Sequence, residues 1–249
     1  MRRTAAAAPG WRHVAGTGPR RLRAALAAQL APVALRARSL ARPLAMSFVL
    51  LVAGPHPAAA QDSYAAFWRA MQRDDAASLQ ALLARGMDPN TVDERDEPAL
   101  IVALRTGLPD TAALLLRQPG LRVDQQNALG ETALMLAVYR EQPATVTALL
   151  ARGARVDQPG WTPLHYAADV GAVTLAEVLV NAGARIDARA PNGTTPLMMA
   201  ARNGHGGMAR WLLERGADRA ARNALGYTAA EFARRADFAA LATQLAAGP

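Results

Sequence analysis

Residues 160–168 read Gly160-Trp161-Thr162-Pro163-Leu164-His165-Tyr166-Ala167-Ala168, and one period later residues 194–201 read Thr194-Thr195-Pro196-Leu197-Met198-Met199-Ala200-Ala201. Looser copies stand at 131–138 (ETALMLAV), 97–104 (EPALIVAL) and 227–234 (YTAAEFAR). The shared position falls at Leu100, Leu134, Leu164, Leu197 and Ala230, with spacings of 34, 30, 33 and 33. A second ladder, Gly86, Gly120, Gly153, Gly183 and Gly216, has spacings of 34, 33, 30 and 33. Two separate ladders sharing one period and one three-residue deficit identify an internal repeat.

The residue types within a copy make a helix pair. Thr132, Thr162, Thr195 and Thr228 stand where a helix begins and its first N–H groups need an acceptor. Pro163 and Pro196 follow at the first helical position, where a missing N–H costs nothing. Leu164 with Ala167, and Leu197 with Ala200, share one helix face, and the alanines let neighbouring helices approach closely. Gly171 and Gly204 are expected to end this helix, and Gly153, Gly183 and Gly216 a second one, because a left-handed C-cap favours glycine. Such a unit cannot bury its apolar face alone, so stability must come from stacking on its neighbours.

These residues resemble the ankyrin repeat, whose Thr-Pro-Leu-His-x-Ala signature and 33-residue period match residues 162–167 most closely. The resemblance covers about residues 63–246. It implies an all-α solenoid of stacked helix-turn-helix units joined by extended hairpin loops. Six units are expected, at 64–92, 93–125, 126–157, 158–188, 189–221 and 222–246, the first and last acting as caps. Between Asp157 and Gly160 only two residues remain where other junctions have five, so the hairpin entering the fourth unit is truncated. The second unit departs too, with Glu97-Pro98-Ala99 at its helix start and Pro119 before Gly120.

Composition locates the charge. The 249 residues are 51% apolar and 19% charged, which suits a packed domain, and their formal net charge is +8. Every one of the 28 basic residues is Arg; nine lie within 1–60, where no acidic residue occurs, and 19 face 20 Asp and Glu in 61–249. The basicity therefore belongs to the first sixty residues and the repeat region is close to neutral. Leu44 to Gly54 is an apolar run of eleven behind Arg36, Arg38 and Arg42, followed by Pro55, Pro57 and Ala58-Ala59-Ala60. That order matches a secretory signal cleaved after Ala60, and the run is shorter than the roughly 17 residues a membrane span needs. Residues 1–60 are read as a basic leader and 61–249 as the domain, periplasmic or secreted, in contact with a membrane only during export. The segment is long for a signal, through an extended n-region or a start downstream of Met1. Arg20-Arg21 raises twin-arginine export, an Arg-rich acid-free segment also suits an organellar transit peptide, and an unstructured extension would leave the protein cytoplasmic. The absence of cysteine excludes disulfides, thiolate nucleophiles and Cys-ligated zinc.

No residue pattern carries catalysis, so no catalytic residue, metal ligand, cofactor or small-molecule substrate is expected. His165 and His205 sit at positions where the repeat uses histidine structurally. Gly204-His205-Gly206-Gly207 lacks the lysine and spacing of a phosphate loop. Asp74-Asp75 and Asp93-Glu94-Asp96-Glu97 lack the spacing of a calcium loop and read as a turn and a hairpin. What remains is surface. The resemblance implies a partner-binding concave face on the hairpin tips and the exposed positions of each first helix. Those columns contain Glu97, Glu131, Trp161, Thr194 and Tyr227; Val102, Leu136, Tyr166, Met199 and Phe232; and Arg105, Tyr139, Asp169, Arg202 and Arg235. Of these, Trp161, Tyr139, Tyr166, Arg202, Arg105, Asp169, Met199 and Tyr227 are the expected contacts with a protein partner, Trp, Tyr and Arg being the types enriched at binding hot spots. Tyr166 and Met199 equally suit packing between repeats. Nucleic acid or an anionic surface is the alternative partner if the Arg-rich leader is retained; the near-neutral domain alone is not expected to bind either.

Overall fold

The computed structural model describes residues 57–247, with side chains from Gln61. Twelve helices follow one another in pairs: α1 (Pro57–Gln72) and α2 (Ala76–Ala84), α3 (Ala99–Thr106) and α4 (Pro109–Arg117), α5 (Ala133–Tyr139) and α6 (Pro143–Ala151). The remaining pairs are α7 (Pro163–Val170) and α8 (Val173–Asn181), α9 (Pro196–Arg202) and α10 (Gly206–Glu214), and α11 (Ala229–Arg235) and α12 (Ala239–Ala246). No strand occurs among the described residues beyond an isolated bridge between Val92 and Pro98. None of the helices described is long and apolar enough to cross a membrane. The apolar run Leu44 to Gly54 and its arginines lie outside the described residues, and the expected cleavage point after Ala60 falls within the first turns of α1.

Each pair forms as the residues dictate. The Oγ1 atoms of Thr132, Thr195 and Thr228 accept the backbone N–H three residues on, from Met135, Met198 and Glu231. The third residue returns the bond: the Thr228 N–H donates to Glu231, and the Thr132 and Thr195 N–H groups to the sulfurs of Met135 and Met198. Sulfur is a weak acceptor, so the methionine versions of this box are the weaker ones. At Thr162 the returning group is the His165 ring, whose Nδ1 accepts the Thr162 N–H at 3.2 Å. Gly171 caps α7 with φ +74, and Gly153, Gly183, Gly204 and Gly216 have positive φ as well. Asp74, Glu141 and Asp237 take the same left-handed turn after α1, α5 and α11.

First helices pack on first helices from α3 through α5, α7 and α9 to α11, and second helices pair as α2 on α4, α4 on α6 and α8 on α10. Ala103, Ala137, Ala167, Ala200 and Ala233, all essentially buried, recur on the first helices and permit this approach. Around them one continuous core runs from Phe67 to Leu245 through Leu134, Leu149, Leu164, Leu179 and Leu212.

Side chains also stitch one unit to the next. Asp74 Oδ1 accepts the Thr111 N–H at 2.8 Å, capping α4 of the following unit, which has no cap of its own. The residue pair Asp74-Asp75 is thus a turn with a capping role, Asp75 serving α2 through Ser78. Along the hairpins, Asn90, Asp124, Asp157 and Asp187 each accept the backbone N–H of a residue one unit later, Arg122, Arg155, Arg185 and Asp218. The hairpin bases repeat a motif in which Asp93, Asn127 and Asn223 accept N–H groups two and four residues ahead. At the truncated fourth hairpin Gln158 replaces that motif: its buried amide nitrogen donates to the carbonyls of Gly130 and Trp161, both at 3.2 Å, and Gly160 turns with φ +100.

Candidate partner-binding surface

The centre of the array is α5, α7 and α9 with the hairpins that precede them. The buried His165 fixes the start of α7. Its Nδ1 accepts from the Thr162 N–H, which leaves Nε2 protonated and donating to the Thr194 carbonyl at 3.0 Å in the next unit. The ring is fully buried, and that burial lowers its pKa from 6.5 to about 4, so it is neutral at physiological pH. Its role is structural, joining the fourth unit to the fifth. Trp161 meets this ring edge-on at 5.1 Å and is half-buried at the surface.

Glu131 anchors a polar cluster beside it. Its carboxylate accepts from the Tyr166 hydroxyl at 2.9 Å and the Asn127 amide at 2.8 Å, and is paired with Arg105 at 3.4 Å. Arg105 also pairs closely with Glu97, so two carboxylates face one guanidinium. Burial, followed by the Glu131 charge, raises the Tyr166 phenol well above its ordinary value; burial, then Asp169, raises that of Tyr139. Both hydroxyls therefore remain protonated donors. The two rings meet edge to face at 6.3 Å.

Two of the expected contact residues are corrected. Tyr166 is 9% exposed and Met199 3%, because the close approach of the first helices leaves no open face between them. They are packing residues. Asp169 is corrected in role: its carboxylate takes donors from Arg202 at 3.2 Å and Asn203 at 2.7 Å, and its carbonyl accepts from Asn203 and contacts the His205 ring. It positions Arg202, whose side chain keeps 38% of its exposure. Tyr139, Trp161 and Arg202 thus lie at the surface of three successive first helices and their hairpins. Arg105 stands at the N-terminal side of this group, 40% exposed. Tyr227 lies towards the C-terminal end, packed edge-on against Phe232 with the Arg235 guanidinium 4.8 Å above its ring.

Sequence reasoning passed over the double duty of Glu131 and the bridging amide of Gln158. The coincidence of Glu131 with Tyr166 one unit later was the available signal. Among the described residues no group of three or more His, Asp or Glu is placed to hold a metal ion.

Stacked helix pairs with hairpin tips, held by Thr caps and a continuous leucine-alanine core, define the class of repeat solenoids. The family model "Ankyrin repeats (3 copies)" matches residues 66–159, 110–190, 154–223 and 173–246, and the chain belongs to the ankyrin repeat family. It is 32% identical over 142 residues to a putative ankyrin repeat-containing protein of Treponema pallidum (strain Nichols), covering 55% of this chain and 47% of that one. It is 34% identical over 158 residues to human SH3 and multiple ankyrin repeat domains protein 2, covering 61% of this chain and 8% of the relative. To human neurogenic locus notch homolog protein 1 it is 33% identical over 148 residues, covering 58% and 5%. The chain thus spans less than half the length of each of these relatives. Ankyrin repeats are protein-protein interaction modules, and that much of the function follows from membership.

Proposed function

We propose that this chain is an exported, non-catalytic binding protein that holds a protein partner on the surface formed by its first helices and hairpin tips, in a scaffolding or protective role. The observation that supports this most is the placement of Tyr139, Trp161 and Arg202 on adjacent units, each braced from behind by Tyr166, His165 and Asp169. Rigid aromatic and guanidinium groups on a braced surface lose little freedom on binding, which is what makes such residues hot spots. Replacing Trp161 and Arg202 with alanine is expected to lower partner capture at least about tenfold in a variant that still folds, as a thermal melt checks.

Export rests on the order of residues 1–60. Mass spectrometry of the protein purified from cells is expected to find an N-terminus at Gln61. An N-terminus at Met1 would contradict export and support the other reading, in which nine retained arginines bind nucleic acid or an anionic surface.

A further inference from the structure

The stacking is irregular at its N-terminal end. Helices α1 and α3 stand further apart than the other neighbouring first helices, and between them and the hairpin at 93–97 lies a cavity of about 680 Å³. Its walls are mostly apolar, with Tyr64, Trp68 and Met71 from α1, Val102 from α3, and Leu108, and carry Gln72 and Thr106 as polar groups. Phe67 and Trp68 stand in register with Leu100 and Ile101 one period later; Phe67 is buried in the continuous core, and Trp68 lines the cavity. The Tyr64 hydroxyl donates to the Val92 carbonyl at 3.1 Å, and Tyr64 meets Trp68 edge-on at 6.2 Å, so the aromatic wall is held in place. A space of this size and lining takes a bulky apolar group with a few polar contacts at its mouth.

The mouth is acidic. Asp93 and Glu94 line it together with Arg95, and Glu94 is exposed and makes no ion pair among the described residues. Residues 61–157 carry 10 Arg against 13 Asp and Glu, whereas 158–249 carry 9 against 7, so the acidic excess lies at the cavity's end of the chain. A phosphate-bearing surface would be repelled there, and a cationic one attracted.

We propose that this cavity receives a cationic peptide segment of the protein partner. An apolar side chain of that segment fills the space beside Tyr64 and Trp68, and flanking Arg or Lys side chains meet Glu94 and Asp93. The inference rests on the binding role proposed above and specifies the chemistry of what is bound.

The test uses the protein as purified from cells and a short fluorescein-labelled peptide alternating Leu and Arg, with a Leu-Glu peptide of equal length as reference, followed by fluorescence anisotropy. The Leu-Arg peptide is expected to bind and the Leu-Glu peptide not to. Glu94→Arg should weaken binding about tenfold, while Glu214→Arg, the same charge change on exposed α10, should match the parent. Ala65→Trp, which fills the cavity from an exposed position on α1 without altering charge, should weaken it by a similar factor. Thermal melts confirm that each variant folds. Equal losses in both arginine variants would mean attraction to net charge alone and would overturn the proposal, as would failure of the Leu-Arg peptide to bind. Self-association abolished by Ala65→Trp, without peptide binding, would assign the cavity to a second copy of the chain. Capture of a partner through Trp161 can survive any of these failures, because Trp161 lies outside the cavity.

Discussion

Leu164→Ala is expected to lower the stability of the solenoid by about 3 kcal/mol, read as a shift in the urea midpoint followed by circular dichroism. The side chain is fully buried on α7, within the core that joins the third, fourth and fifth units. Its loss removes the transfer free energy of the deleted carbons and leaves a cavity, since the alanine-lined helices around it are already in close contact. The damage should also be more than local. In a repeat array stability is roughly a sum of nearest-neighbour terms, so weakening the middle separates the two halves and broadens or splits the transition. Leu225, 73% exposed on a hairpin tip, provides the comparison: Leu225→Ala should change stability by less than about 0.5 kcal/mol. A cost below about 1 kcal/mol for Leu164→Ala would mean that α7 is not at the centre of a continuous core.

Acidification supplies the second large effect, through His165. Burial lowers its pKa from 6.5 to about 4, so the folded protein favours the neutral ring and the unfolded chain binds the proton first. Stability from this group is complete above pH 6.5 and falls as the pH drops towards 4, where the folded ring protonates too. The interval corresponds to about 3 kcal/mol as an upper figure. The imidazolium form would also present a second N–H to the Thr162 N–H, breaking the box that starts α7. His165→Gln should be less stable at neutral pH but nearly flat between pH 7 and 4.5. Asp75 and Glu231, whose carboxyls are held below their usual range by Ser78 and by Thr228, contribute at the acid end. Their stabilisation is present above the ordinary carboxylate range and is lost as the pH falls below it, so the histidine variant separates the two effects. A parent protein as stable at pH 4.5 as at pH 7 would contradict the assignment of His165 as a buried neutral donor.

How much of this was legible beforehand differs by feature. Thr162, Pro163 and Leu164 announce a helix start because each type has one dominant reason to be there, and the structure places α7 from Pro163. The glycine ladder was readable for the same reason, left-handed turns being costly for most other residues. Exposure within the first helices was not. Tyr166 and Tyr139 are the same residue type at different positions of the first helix: Tyr166, in the middle of α7, is covered by the neighbouring helices, and Tyr139, at the end of α5, is only half-buried. Asp74 illustrates a further limit: a turn aspartate looks solvated until the next unit's uncapped α4 is brought beside it. The cavity against α1 was hidden because the first unit lacks the signature, and only three-dimensional stacking shows that α1 and α3 fail to close.

The measurement that bears most directly on the whole account is partner capture from intact cells, comparing the parent chain with the Trp161→Ala, Arg202→Ala double variant after both have passed the same thermal melt. The account predicts that the parent retains a protein partner and that the double variant loses at least about tenfold of that capture. Undiminished capture by the folded double variant would place recognition on another face and contradict the assignment of the surface at Tyr139, Trp161 and Arg202.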